Sequence, residues 1–317
     1  MPDRRITLAV LAGLSLTLMA IYVFAGLTPD NWDYNFPRRL KIAAAVVLVS
    51  CATGWSSLIF QTVTANHILT PGIIGLESLY LFLQTAIVFF LGSRQLLMMR
   101  DVPSFLLSIV LMAGMAGLLF RLMLRGEEKN VYFLVLTGLV FGTLFSGLAD
   151  FMQVLIDPNE FSILEGRMFA SFNKINLNLM GLSAVLVLAA MALGLPDLKR
   201  LDVLTLGRNQ AVALGVEYQA LVFRSMIAVA VLVSVSTVLV GPITFLGLLV
   251  ISLARALLKT YRHGMLLPGA VLAGIAILSF GLLMIERVMQ FRTPLSVMIN
   301  MAGGAYFIFL LLKERKA

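Results

Sequence analysis

Long apolar runs without a charged residue constrain this chain more than any other feature of its sequence. Residues 6–27, 175–196 and 264–285 are three of nine such runs. Each is close to the roughly 17–25 residues that a helix needs to cross a bilayer. Charged residues make up only 13% of the 317 residues, compared with roughly 25% in a soluble domain. We therefore predict an all-α protein, a polytopic bundle of transmembrane helices.

The longest run, residues 225–254, is too long for a single span. As one helix it would measure roughly 45 Å at ~1.5 Å per residue, against ~30 Å for the hydrocarbon core. Gly241 and Pro242 interrupt it near its middle, and proline breaks or kinks a helix interior. We predict two helices here and about ten spans in total. The predicted spans are 6–27, 40–61, 73–91, 103–123, 130–150, 176–195, 224–240, 244–259, 265–286 and 294–312.

The distribution of Lys and Arg predicts the orientation of the bundle. Ten spans place both termini on one side, and the segments on that side carry more Lys and Arg than those on the other. Because positive charge accumulates in cytoplasmic loops, we expect both termini to be cytoplasmic. Residues 1–317 then form one transmembrane domain. Its longest connections, an outer loop at about 151–175 and an inner segment at about 196–223, are candidates for function.

The sequence contains none of the common motifs of a soluble or metal-dependent enzyme. Phosphate-loop, dinucleotide-binding, zinc-protease and serine-hydrolase patterns are absent, and two His and one Cys are too few for a typical metal site. The net charge of +8 does not indicate nucleic acid binding, because the basic residues lie at the ends of apolar runs, where the bilayer explains them. We expect no enzymatic activity, no cofactor and no metal site.

Two other classes of membrane protein fit the sequence less well. An ion-coupled secondary transporter needs ionisable side chains inside the membrane, but the spans hold few beyond Glu77 near a helix start and Glu286 and Arg287 at a helix end. A membrane enzyme needs His, Asp or Ser clustered at one membrane face, and the sequence predicts no such cluster. An external energy source is therefore expected for transport.

Segments in the second half of the chain resemble the FecCD-type permeases of ABC importers for iron–siderophore complexes, haem and cobalamin. The strongest is GPITFLGLLVISLAR at 241–255, in which Ile251 and Ser252 replace the family's Pro-His pair. LLPGAVLAG at 266–274 and TPLSVMINMAGGAYFIFLL at 293–311 follow in the family's order.

An earlier segment, from FPRR to GLES at 36–78, resembles the same family. Asn35 replaces a family arginine and His67 replaces a proline. The string MFASFN, within 156–176, favours the ferric-siderophore branch. Cobalamin and haem remain alternatives within the family.

The resemblance implies a permease subunit of the bacterial inner membrane. Its expected partners are a second permease subunit, identical or paralogous, two cytoplasmic ATPase subunits, and an extracytoplasmic siderophore-binding protein. The path for a bulky chelate should be broad, and we expect Met, Ser, Thr and Gln on the second, fifth and neighbouring helices to line it.

The resemblance also implies residues for contact with partners. Arg38 and Arg287 match family arginines that meet acidic residues of the binding protein, and Arg39 and Arg292 are neighbours that could replace the one missing at Asn35.

At the inner face, LTLGRNQAVALGVEY at 204–218 resembles the family's coupling helices, which contact the ATPase. Arg208 stands where a glutamate is usual. We expect the small Ala211 side chain to allow close approach to the ATPase, because alanine carries only a methyl group. The candidate coupling residues are Leu206, Gly207, Arg208, Ala211, Leu214 and Gly215.

Overall fold

The computed structural model describes residues 4–98, 101–124, 131–172, 175 and 177–314, and within them the regular structure is helical, with no strand. The helices, in chain order, are α1 Arg4–Phe24, α2 Trp32–Val63, α3 Leu76–Met98, α4 Asp101–Leu124, α5 Val131–Leu155, α6 Pro158–Met168, α7 Leu177–Gly194, α8 Leu198–Leu204, α9 Arg208–Ala213, α10 Tyr218–Val240, α11 Leu246–Leu258, α12 His263–Arg287 and α13 Leu295–Glu314. The predicted all-α class is confirmed.

Seven helices in the described ranges are long and apolar enough to cross a membrane. They lie in α1, α2, α5, α7 with its extension into α8, α10, α12 and α13. Three shorter apolar helices, Leu76–Gly92, Val102–Leu118 and Leu246–Leu258, coincide with the other predicted spans. The total of ten spans and the cytoplasmic termini stay predictions.

Helix α2 lies at the centre of the bundle. It packs against α12, α10, α11, α7 and α1, and nearly every residue from Ile42 to Val63 is buried or half-buried. Small residues allow this close packing, since a Cβ added at Gly54 would lie 3.3 Å from the Ala270 Cβ of α12. Most side chains of α2 therefore contact other helices of the same chain, and the expectation that the second helix lines a substrate path stays a prediction.

The helix break predicted at Gly241 and Pro242 is present. Helix α10 ends at Val240, and α11 begins at Leu246. Gly241 adopts φ 99°, a region that disfavours residues with a Cβ. A Cβ there would also lie only 2.8 Å from Ala170 Cα. The Ser171 N–H donates a 2.7 Å hydrogen bond to the Val240 carbonyl, so the segment after α6 is fastened to the break.

Both long connections contain helices rather than irregular loop. The outer one, 151–175, holds the end of α5 and all of α6, which begins at Pro158. The Asp157 side chain accepts a 2.8 Å hydrogen bond from the Asn159 N–H and so caps α6. The inner one, 196–223, holds α8, α9 and the first turn of α10.

The two ends of the bundle are named here by the predicted orientation. The outer end comprises residues 24–41 and 286–292, where α1 and α12 finish and α2 begins. The inner end comprises residues 62–70, 195–218 and 258–263, together with the start of α1, whose Arg4 guanidinium lies 3.4 Å from the Lys259 carbonyl oxygen.

Candidate docking, transport and coupling sites

The side chain of Arg39, at the outer end, makes its contacts within the protein. Its guanidinium forms an ion pair with Glu286 and donates to the Tyr22 carbonyl at 2.9 Å and to the Ala25 carbonyl. These are carbonyls at the end of α1, where a helix lacks internal donors. Only 12% of the Arg39 side chain is exposed. Arg39 therefore stabilises the junction of α1, α2 and α12 and offers little surface to a partner.

The other three arginines predicted at this end are exposed, namely Arg38, Arg287 and Arg292. Arg287 also donates a hydrogen bond to the Ala25 carbonyl, which fixes part of its side chain. Arg38 and Arg292 make no hydrogen bond or ion pair through their side chains in the contacts described. The structure thus separates one internal arginine from three that could meet a binding protein.

A small polar cavity lies beside the break between α10 and α11. Its volume is about 30 Å³, and hydroxyl groups of α2, α10 and the break line it together with Glu77. A site of this size and polarity can hold one or two water molecules. The hydroxyl-bearing residues that line it are Thr53, Ser56, Ser57, Ser236, Thr237 and Thr244.

Glu77 joins this cavity to the first turn of α3. The Thr244 hydroxyl donates a 2.5 Å hydrogen bond to the Glu77 carboxylate, and the carboxylate lies at the N-terminal end of α3, where the helix dipole favours negative charge. The sequence marked Glu77 as a rare ionisable residue but could not identify Thr244, which is 167 residues away, as its partner.

The inner segment folds into two short helices with tight turns. Gly207, with φ 98°, precedes α9, and Gly215, with φ 81°, follows it. Exposed apolar side chains lie around α9, namely Leu206, Val212 and Leu214, with exposed fractions of 58%, 53% and 64%. Apolar side chains that are exposed next to one another on a surface are candidates for a protein interface.

Two other predicted coupling residues make contacts within the chain. Ala211 is fully buried in the hydrophobic core, so its methyl group packs inside the chain and not against an ATPase. The Arg208 guanidinium lies 5.4 Å from the centre of the Tyr218 ring, within the range of a cation–π contact. The role expected for the Ala211 side chain does not fit this position.

A buried histidine holds α8 to the bundle. His263 Nδ1 lies 2.6 Å from Asp202 Oδ1, and the His263 backbone N–H donates to the same oxygen at 2.7 Å. His263 Nε2 lies 2.8 Å from the Thr62 hydroxyl oxygen at the end of α2. We call Thr62, Asp202 and His263 the inner tie. The sequence did not reveal it, because the three residues lie far apart in the chain.

Among the residues that the structure describes, no group of three or more His, Cys, Asp or Glu side chains is placed to hold a metal ion.

Comparisons with known proteins agree with the fold and the motifs. The chain is 49% identical over 310 residues to the petrobactin import system permease protein YclO of Bacillus subtilis strain 168, covering 98% of both chains. It is 32% identical over 318 residues to the petrobactin import system permease protein FatC of Bacillus anthracis, covering 98% of this chain and 90% of that one.

A solved chain has the same fold. It is described as that of a metal-chelate type ABC transporter in an inward-facing conformation, with a TM-score of 0.84, 23% identity, and coverage of 98% of this chain and 100% of that chain. The FecCD transport family matches residues 5–313, nearly the whole length. The chain therefore belongs to the FecCD transport family.

Proposed function

We propose that this chain is the transmembrane permease subunit of a bacterial ABC importer, that its substrate is a ferric siderophore, and that the siderophore is petrobactin. The observation that carries the proposal is the 49% identity to a petrobactin import permease over nearly the full length of both chains. Relatives named for haem and vitamin B12 transport are only 25–27% identical, which makes these substrates weaker candidates.

The proposal includes the rest of a transporter. Ten spans with cytoplasmic termini leave α8 and α9 facing the cytoplasm, where their exposed apolar side chains can contact an ATPase subunit. The exposed arginines of the outer end then face a siderophore-binding protein. The path belongs on an exposed helix such as α5, since α2 is enclosed, and a second permease subunit would form its other wall.

Uptake measurements test the substrate. A strain that lacks this gene should lose uptake of ferric petrobactin labelled with radioactive iron and regain it when the gene is restored. Uptake of haem and cobalamin should not change. Normal petrobactin uptake in the deletion strain, in the absence of a second petrobactin importer, would contradict the proposed substrate. Loss of cobalamin uptake instead would support the cobalamin branch of the family.

A second experiment tests whether ATP is hydrolysed by separate subunits and not by this chain. The purified permease should hydrolyse no ATP, because its sequence has no phosphate loop, and the transporter assembled with its ATPase subunits should do so. ATP hydrolysis by the permease alone, in a preparation shown to be pure by intact mass, would rule out this role.

A further inference from the structure

A groove on the side of the bundle has the shape and polarity of a site for one lipid molecule. It lies between α7 and α10, with α2 at its base, and encloses about 470 Å³. Sites for small ligands commonly have volumes of ~300–1,000 Å³. Ile59, Ala190 and Val231 are among its apolar walls. Only 17% of the most apolar stretch of α7 is buried in the described chain, which places the groove at the periphery.

Polar groups are confined to one end of this groove. Asp197, Arg224 and Ser225 line it where α7 ends and α10 begins, and the remaining wall is apolar. From Leu186 to Asp197 the groove follows α7 and the turn after it for roughly 16 Å at ~1.5 Å per residue. That length is about half of a ~30 Å hydrocarbon core. The groove is therefore polar at the inner end and apolar over the depth of one leaflet, as an amphiphile requires.

The polar end carries an unbalanced positive charge. Arg200 and Arg224 bind the same carboxylate oxygen, Asp197 Oδ1, at 2.9 and 3.2 Å. One carboxylate cannot neutralise two guanidinium groups, and 56% of each arginine side chain is exposed. Arginine donates paired hydrogen bonds to phosphate oxygens. A single negative charge next to the two arginines would complete the site.

We propose that this groove binds an anionic phospholipid, with one acyl chain between α7 and α10 and the phosphate at Arg200 and Arg224. The bilayer supplies such a molecule at the depth where the groove opens, and basic residues near the membrane surface attract anionic lipids. The groove lies apart from the surfaces proposed for the binding protein and the substrate path, whereas Arg200 belongs to α8, next to the proposed ATPase contact.

Native mass spectrometry of the complete purified transporter tests this site. The transporter should retain phosphatidylglycerol in preference to phosphatidylcholine with the same acyl chains. Arg200→Gln and Arg224→Gln should each weaken retention of phosphatidylglycerol about fivefold, and leave that of phosphatidylcholine unchanged. Each variant keeps one arginine on the buried Asp197 carboxylate, so folding should be preserved. Arg262→Gln, an exposed arginine of the inner end outside the groove, is the matched control and should have no effect.

Two further arms separate a lipid from other occupants. Ala228→Phe places a larger side chain in the apolar part of the groove and should reduce retention of both lipids. Excess glycerol 3-phosphate has no acyl chain and should displace neither lipid. Equal retention of the two lipids by the wild type, or full phosphatidylglycerol preference in both arginine variants, would overturn the proposal. Displacement by glycerol 3-phosphate would show a simple phosphate site instead. Absence of retained lipid in the complete transporter would likewise overturn the proposal.

Discussion

The outer and inner ends of the bundle hold their polar residues in different ways. At the outer end, Arg39 and Glu286 bind spanning helices to one another, and the exposed arginines stand apart from this ion pair. At the inner end, Asp202 and His263 bind a connecting segment, α8, to α12 and, through Thr62, to α2. The outer end is thus a clamp between spans, whereas the inner end joins a surface element to the core. Helices α2 and α12 take part in both.

This difference suggests a division of roles. A binding protein could dock and dissociate at the outer end without disturbing the clamp, because the exposed arginines are not needed for the ion pair of Arg39. An ATPase that moves α8 and α9 would act directly on α2 and α12 through the inner tie. The predictions below test this comparison.

The largest effect on assembly and transport is expected from a charge on the exposed inner surface. Leu214→Asp places a carboxylate on an apolar side chain that is 64% exposed, so the permease should fold normally. Loss of a hot-spot contact near the centre of an interface weakens binding by ~2 kcal/mol or more, or about thirtyfold. The affinity for the ATPase, measured in detergent, should fall at least thirtyfold, and petrobactin uptake should fall to a similar extent.

A matched change at the other end provides the control for Leu214→Asp. Phe291→Asp also replaces an exposed apolar residue, 56% exposed, at the outer end, and should leave ATPase binding unchanged. Equal ATPase binding by wild type and Leu214→Asp would place coupling elsewhere. Ala211→Trp cannot replace this test. The buried position of Ala211 means that tryptophan would disrupt the permease itself and lower its amount in the membrane.

The outer clamp should contribute mainly to stability. Arg39→Gln removes the ion pair and leaves Glu286 and the α1 carbonyls with fewer partners, which should lower the free energy of unfolding by about 3 kcal/mol. Arg38→Gln, at the exposed neighbouring position, should change it very little. Thermal unfolding of the purified permease compares the two. If both variants melted at the wild-type temperature, the clamp would have no structural importance.

The inner tie should show a smaller and more specific effect. Asp202→Ala and His263→Ala each remove a shared hydrogen bond, so in a double-mutant cycle the two changes should be coupled by about 1 kcal/mol in unfolding. Both single variants, assembled with the ATPase, should hydrolyse ATP while importing less substrate per ATP. Additive effects on stability, together with normal transport per ATP, would show that α8 is not linked to the core through this pair.

The sequence predicted features that depend on local chemistry. The break at Gly241 and Pro242 follows from the conformations of two adjacent residues, and span length follows from apolar runs. Partners distant in the chain could not be predicted this way. Arg39 is a docking candidate in the sequence only as a neighbour that could replace the arginine missing at Asn35. Its partner in the structure, Glu286, is 247 residues away and could not be predicted. Ala211 was assigned to an ATPase contact because a small residue suits either a buried or an exposed contact, and only the fold distinguishes them.

Of the two binding surfaces, the outer end is expected to show the smaller effect. Exposed ion pairs contribute only ~0.2–1 kcal/mol each, but reversing a charge adds repulsion to the loss of attraction. Reversing Arg38 and Arg287 together to Glu should weaken binding of the siderophore-binding protein about tenfold and reduce the dependence of binding on salt. Arg287→Glu also loses the hydrogen bond to the Ala25 carbonyl, so the melting temperature must be measured alongside affinity.

A single pair of variants separates specific docking from a general charge effect. Arg38→Glu and Lys41→Glu change the net charge equally, at exposed positions three residues apart on α2. If Arg38 meets an acidic residue of the binding protein, Arg38→Glu should weaken binding more than Lys41→Glu. Equal weakening would mean that the partner responds to the total charge of the outer end. Docking would then depend on long-range electrostatic attraction to the whole outer end. The inner tie, in contrast, depends on short-range contacts between three particular residues.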